Sequence, residues 1–373
     1  MRLLLRAGIL LGLAAAACKE AATPVDFKDP VALSANLSSV DSAIKGEAFR
    51  SFGAATLSLS VAAAPALGPV APLVATMRPQ LQRSGSQMLL PGLRQAGRLQ
   101  AELPNLSAAA AEGRVIPDSV YGRVYEWDAT LHQYRWQGAT VAGLTGVRFI
   151  LYAVDLNDQV IEPVTAIGTL DIIDQSTPTK LQVQVLVKGV GGSPTYVDYT
   201  ISLQQNGPTS ATATASGSIT NGQAGSANKT LSFDQTLTIN GTSASAHATY
   251  ALNNPAITVI VKESVEFSNP NLVIDADFQL VQAGQETIEV VGHVTINTST
   301  QSAIVNVTVY QGGHPVASIS GNPHDPATQW KDAGGNPLTA ADLAALDHLF
   351  DAFERFQAAL EGLFLPVTTF AHL

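Results

Sequence analysis

Residues 180–188 read KLQVQVLVK, with Leu181, Val183, Val185 and Val187 in one phase and Gln182, Gln184 and Leu186 in the other. Successive side chains of a strand point to opposite faces, so this period of two marks a half-buried strand. The pattern returns through residues 181–320. Val197, Tyr199, Ile201 and Leu203 alternate with Asp198, Thr200 and Ser202. Leu231, Phe233, Leu237 and Ile239 alternate with Ser232, Asp234, Thr236 and Thr238, and Leu272, Ile274, Ala276, Phe278 and Leu280 with Asp275, Asp277 and Gln279. Ile288, Val290, Val294 and Ile296 form a further set. A parallel sheet buried on both faces would show continuous apolar runs instead. Asn206-Gly207, Asn221-Gly222 and Asn240-Gly241 lie between segments. Asn and Gly accept the positive φ of a type I′ turn, so these pairs predict hairpins and an antiparallel meander. The segment 210–220, SATATASGSIT, has only small side chains to bury. It is expected at a sheet edge or over a close contact, with a weakly specified register.

Charge narrows the partners. Residues 181–320 contain three Lys, no Arg and eight Asp or Glu, a net of 3 − 8 = −5 in a chain of −10. Nucleic acid and anionic bilayers are held by Lys and Arg, so neither suits this sheet. Charged residues make up 13% of the chain, which leaves the wet face to Ser, Thr, Asn and Gln. The single cysteine excludes an internal disulfide, so the fold rests on core packing.

The N-terminus carries an address. Arg2 and Arg6 precede an apolar run over 7–17 and then Cys18, a pattern too short for a spanning helix and typical of a signal peptide over 1–17. Ala15-Ala16-Ala17-Cys18 resembles the lipobox of bacterial lipoproteins, with Ala15 where that family usually has Leu. The resemblance implies acylation of Cys18 as the mature N-terminus and a membrane as partner. Lys19, in place of Asp, implies the outer membrane by the same family's sorting habit.

Residues 18–28 read as a tether and 29–116 as a helical and irregular region. Asp29 and Pro30 start a helix whose apolar stripe is Leu33, Leu37, Val40 and Ile44, and Gly46 ends or kinks it. Pro65, Pro69 and Pro72 exclude a continuous helix over 61–73. Arg78, Arg83, Arg94 and Arg98 make 77–100 the locally basic stretch, either a site for acidic lipid headgroups or a solvated face. The β domain spans 117–320. Its front part contains an aromatic hairpin over 120–127 and 133–136, then strands over 146–154 and 166–173. A loop and helix complete the chain over 321–373. Thr339 and Asp342 approximate a capping box. Leu343, Leu346, Leu349, Phe350, Phe353, Phe356, Leu360, Leu363 and Phe364 form one helical side. This helix and the one bearing Leu33 and Ile44 are expected to cover the apolar face of the sheet.

No motif identifies a reaction: there is no G-x-S-x-G elbow, phosphate loop, H-E-x-x-H or paired-Cys pattern. Asp155, Asn157 and Asp158 begin like a calcium loop, but Val160 and Ala166 stand where its Gly and Glu belong, so a plain Asp/Asn turn is expected. His247 and His293 lie on wet strand faces, where they are able to meet across the sheet or serve as ordinary surface imidazoles. His324-Asp325 beside Trp330 marks a polar loop. Asp347, His348 and Asp351 give half a metal site or a solvated helix face. The balance is no catalytic, metal or cofactor site.

The fold class is therefore mainly β (α+β): a large twisted antiparallel meander sheet or half-barrel, packed by a C-terminal amphipathic helix and an N-terminal helical region. That architecture looks like the open half-barrel carriers of envelope lipoproteins. A transmembrane barrel is disfavoured, since the chain ends in a helix and its few aromatics form no girdles. The expected function is a lipid-anchored, non-catalytic structural or binding protein. The alternatives are a carrier of lipid or another apolar ligand, and an envelope-polymer hydrolase.

Overall fold

The computed structural model describes residues 113–157, 159–300, 302–323 and 325–350. These residues form one sheet of 15 strands: β1 (Arg123–Asp128), β2 (Gln133–Thr140), β3 (Gly146–Tyr152), β4 (Ala166–Asp174), β5 (Leu181–Gly189), β6 (Thr195–Gly207), β7 (Ser210–Thr220), β8 (Thr230–Asn240), β9 (Ser243–Asn253), β10 (Ala256–Ser268), β11 (Asn271–Gln282), β12 (Ile288–Asn297), β13 (Ser302–Gln311), β14 (His314–Gly321) and β15 (Lys331–Asp332). From β3 to β15 every neighbour in sequence is an antiparallel neighbour in space, the meander that the alternation predicts. β2 and β15 occupy opposite ends of the order, so the sheet stays open rather than closing into a barrel.

The apolar phase of each strand forms one buried face. The row Phe149, Leu170, Val187, Val197, Ile219, Leu231, Leu252 and Ile257 runs across eight strands in register, and all eight are buried. The opposite face carries the polar phase.

Several details depart from the sequence reading. β1 pairs with β3 in parallel, through Val124↔Arg148 and Tyr125↔Phe149, making the sheet mixed. β2 turns back outside β1 and serves as part of the β1–β3 crossover, since parallel neighbours cannot be joined by a tight turn. β7 is an interior strand, not an edge, paired along its length with β6 and β8. Its small side chains make room for large neighbours: Tyr199, Gly217 and Phe233 align across three strands, and the two rings approach to 5.8 Å. The expected close contact is thus present. A Cβ on Gly217 would collide with the Asp198 carbonyl oxygen and with Tyr199.

The Asn-Gly turns are also displaced. Asn240 pairs with Ser243, which leaves Gly241 and Thr242 as the loop, with Gly241 at φ 57° in the first loop position. Gly207 pairs with Ser210, so Pro208 and Thr209 form that turn. Asn221-Gly222 opens a longer connection over 221–229.

β15 adds a short strand beyond the expected β domain, beside β14. A helix, α1, occupies residues 340–350. Its cap is a capping box: the Asp342 N–H donates to Thr339 Oγ1 at 3.2 Å, and the Thr339 N–H and hydroxyl donate to the Asp342 carboxylate. Leu346, Leu349 and Phe350 join the same apolar cluster as the strand residues, and Phe350 stacks on Trp330 at 5.8 Å. Leu343 is 39% exposed and stands outside the stripe assigned to it. The helix carrying Leu33 and Ile44, the tether, the signal segment and the stripe from Phe353 onward lie outside the described residues.

Candidate functional site

Three polar side chains lie on the buried face of adjacent strands: Gln235 on β8, Tyr250 on β9 and Glu263 on β10. Gln235 shares its phase with Phe233 and Leu237, and Glu263 with Val259, Val261 and Val265. Period two therefore turns both inward, and they retain only 7% and 6% exposure. Small residues surround them in register. Ala215 and Ala248 flank Gln235, while Ala246 and Ala276 flank Glu263, with Gly292 one strand further. Burial, then the Glu263 carboxylate, pushes the Tyr250 phenol above its ordinary range, so this hydroxyl stays protonated and able to donate. A carboxylate taken out of water demands a cation or several donors. The arrangement is a polar island in an apolar field, covered along with the rest of that face. The sequence reading passed over it, although a Glu and a Gln in otherwise apolar phases were its visible signal.

On the wet face, His293 Nδ1 lies 2.6 Å from Asp275 Oδ1, and Nε2 lies 3.2 Å from Thr295 Oγ1. With the proton on Nδ1, this is the order of an acid–imidazole–hydroxyl relay. Its surroundings do not complete one. The Asp275 and His293 side chains are about half exposed. The strands around them pair continuously on both sides, engaging their backbone N–H groups in the ladder rather than in an oxyanion hole. His247 and His293 do not meet, because they sit on β9 and β12 with two strands between. His247 pairs in register with Lys262, which reaches Asp277 at 3.3 Å.

The remaining candidates are local. Asp155 Oδ1 accepts the N–H groups of Asn157 at 2.8 Å and Gln159 at 3.0 Å, so this carboxylate closes its own turn. Asp325 does the same for Ala327 at 2.9 Å. Asp347 and His348 lie on the exposed side of α1. Cys18, the four arginines of 77–100, His324 and Asp351 lie outside the described residues. Among the described residues no three His, Cys, Asp or Glu side chains gather around a common point.

At the front of the sheet, Tyr125 stacks on Phe149 at 4.8 Å, and Trp127 and Phe149 meet Tyr134 edge-on at 5.6 and 5.7 Å. These rings fill one another's space as core. The sequence matches no family model, no curated protein and no solved structure.

Proposed function

We propose that the protein is a lipid-anchored component of the bacterial cell envelope, held to the outer membrane through an acylated Cys18, with a structural or binding role. The observation that carries this reading is the N-terminal order: Arg2 and Arg6, the apolar run over 7–17, then Ala15-Ala16-Ala17-Cys18-Lys19. A diacylated cysteine adds enough buried methylene to anchor a chain stably, whereas one acyl chain alone is marginal. The net charge of −10 leaves little electrostatic attraction to anionic bilayers, so the acyl chains supply the attachment.

A second reading, a carrier of a lipid or another apolar ligand, draws on the breadth of the apolar strand phases that share one face of the open sheet. The polymer-hydrolase reading is weaker. The relay-like order seen among the described residues, Asp275, His293 and Thr295, lies on an open face.

The test is metabolic labelling of the full chain with a radioactive fatty acid in a bacterial host, followed by membrane fractionation. The expected result is a labelled, sedimenting protein that Cys18→Ser converts to an unlabelled form no longer held by the membrane. An unlabelled wild-type chain would overturn the anchor. Native mass spectrometry of the same preparation tests the carrier: co-purified amphiphile supports it, and an empty stable chain counts against it.

A further inference from the structure

The loops along one rim of the sheet are not alike. β1 runs parallel to β3, and β3 and β5 each run antiparallel to β4, so the connections that follow β1, β3 and β5 leave the sheet on the same rim. They are residues 129–132, 153–165 and 190–194. Leu131 stands exposed in the first, Leu156, Ile161 and Val164 in the second, and Val190 in the third. Leu156 is 92% exposed and Val190 70%. The same rim continues over 221–229, 254–255, 283–287 and 312–313, which read NGQAGSANK, NP, AGQET and GG and hold no large apolar side chain. Single exposed aliphatics are ordinary on a protein surface. Five on three neighbouring loops, with none on the four beyond, form the kind of local accumulation that marks an interaction site.

These loops are closed by their own hydrogen bonds. Asp128 Oδ1 accepts the N–H groups of Thr130 and Leu131 at 2.9 and 3.1 Å, and Asp155 closes the turn that carries Leu156. The Gly189 N–H donates to the Pro194 carbonyl at 2.8 Å across the loop of Val190. Trp127 Nε1–H donates to Glu162 at 3.2 Å and ties the second loop to β1. The aliphatic side chains are therefore presented to solvent by ordered turns.

Two features select the occupant. From β6 to β2 there are five strand spacings, roughly 24 Å at ~4.8 Å each, so the loops offer a row of separate projections. A protein partner would need a matched hollow for each, whereas a bilayer surface has no shape of its own and accepts them all. The three loops also contain Asp155, Asp158 and Glu162 and no Lys or Arg. That charge opposes anionic headgroups, and it opposes a second copy of the same rim, whose acids would face these. A zwitterionic lipid surface meets both conditions, with burial of Leu, Ile and Val at the headgroup–acyl boundary as the driving force.

We propose that this rim is a lipid-contacting edge, on which Leu131, Leu156 and Val190, together with Ile161 and Val164, enter the surface of a zwitterionic bilayer. The contact is separate from acylation of Cys18, and its test is run on the full chain carrying Cys18→Ser, so that it stands or falls apart from the anchor. In that chain an introduced cysteine is the sole thiol. A polarity-sensitive fluorophore is placed through Leu131→Cys, Leu156→Cys or Val190→Cys, and, as controls on the polar loops of the same rim, through Gln223→Cys or Gln285→Cys. Vesicles of phosphatidylcholine and phosphatidylethanolamine, with or without acyl-chain nitroxide, are then added. The expected result is a blue shift and nitroxide quenching at 131, 156 and 190 and neither at 223 or 285. Adding Leu131→Gln and Leu156→Gln to the Val190→Cys chain should reduce its quenching about twofold or more, since two tips no longer gain from leaving water. Unchanged emission at 131, 156 and 190, or an equal response at all five positions, would overturn the proposal. So would a shift that needs phosphatidylglycerol and disappears in salt. A blue shift that grows with protein concentration in the absence of vesicles would give the rim to a second copy, and would also overturn it.

Discussion

Asp174 shows how much a single side chain organises at the front of the sheet. One carboxylate oxygen accepts two backbone N–H groups, from Val115 and Ile116, and the other accepts that of Ser176 at 2.9 Å. Asp174→Ala orphans buried donors and is expected to cost about 2–4 kcal/mol, read from urea unfolding. Asp174→Asn, which keeps an acceptor, should cost less. Gly217 works by absence. Its missing Cβ lets the Tyr199 and Phe233 rings close over β7, so Gly217→Ala is expected to destabilise by about 3 kcal/mol through overpacking. Ser218→Ala, one residue along and partly exposed, should change stability by less than about 0.5 kcal/mol. Equal effects would remove the close-approach account of β7. The sequence showed that β7 is built of small residues. Their meaning required knowing that Tyr199 and Phe233 stand on either side.

At the scale of elements, α1 is the clearest unit of sequence and structure in agreement. Thr339 and Asp342 were legible as a cap because capping is a local exchange of hydrogen bonds over three residues. Thr339→Ala is expected to cost about 1 kcal/mol. Leu349→Ala, at a fully buried position, should cost about 2–5 kcal/mol. Leu343→Ala, at a position 39% exposed, should cost less than Leu349→Ala, and calorimetry of the three variants would rank them. A cost for Leu343→Ala as large as that for Leu349→Ala would restore the wider stripe. Leu343 misled because helical spacing gives the direction of a side chain, not whether the facing element extends far enough to cover it. The Asn-Gly pairs misled similarly: they marked connections correctly, but the turn centre was set by register, as Asn240↔Ser243 shows.

For the molecule as a whole, the buried tyrosines make stability fall in alkali. Burial raises the pKa of Tyr199 well above its ordinary value of 10, and burial likewise raises those of Tyr250 and Tyr134. Their folded values lie above the unfolded one. Their contribution is therefore complete below pH ~10 and declines as pH rises through the folded values, because only the unfolded chain releases these protons. Urea midpoints at pH 8 and 11 should differ, the latter being lower. A part of the tyrosinate absorbance should appear only with unfolding. Full absorbance at pH 11 in the folded chain would show these hydroxyls to be accessible.

Strand phase, the meander and the helix cap were determined by the sequence alone, because each depends on side chains two to four residues apart. Only the tertiary structure decided that β1 runs parallel to β3, that β7 lies inside the sheet, and that Gln235 and Glu263 form one buried island with Tyr250. Each of those depends on which strands become neighbours and what covers them, and a local pattern carries no record of either.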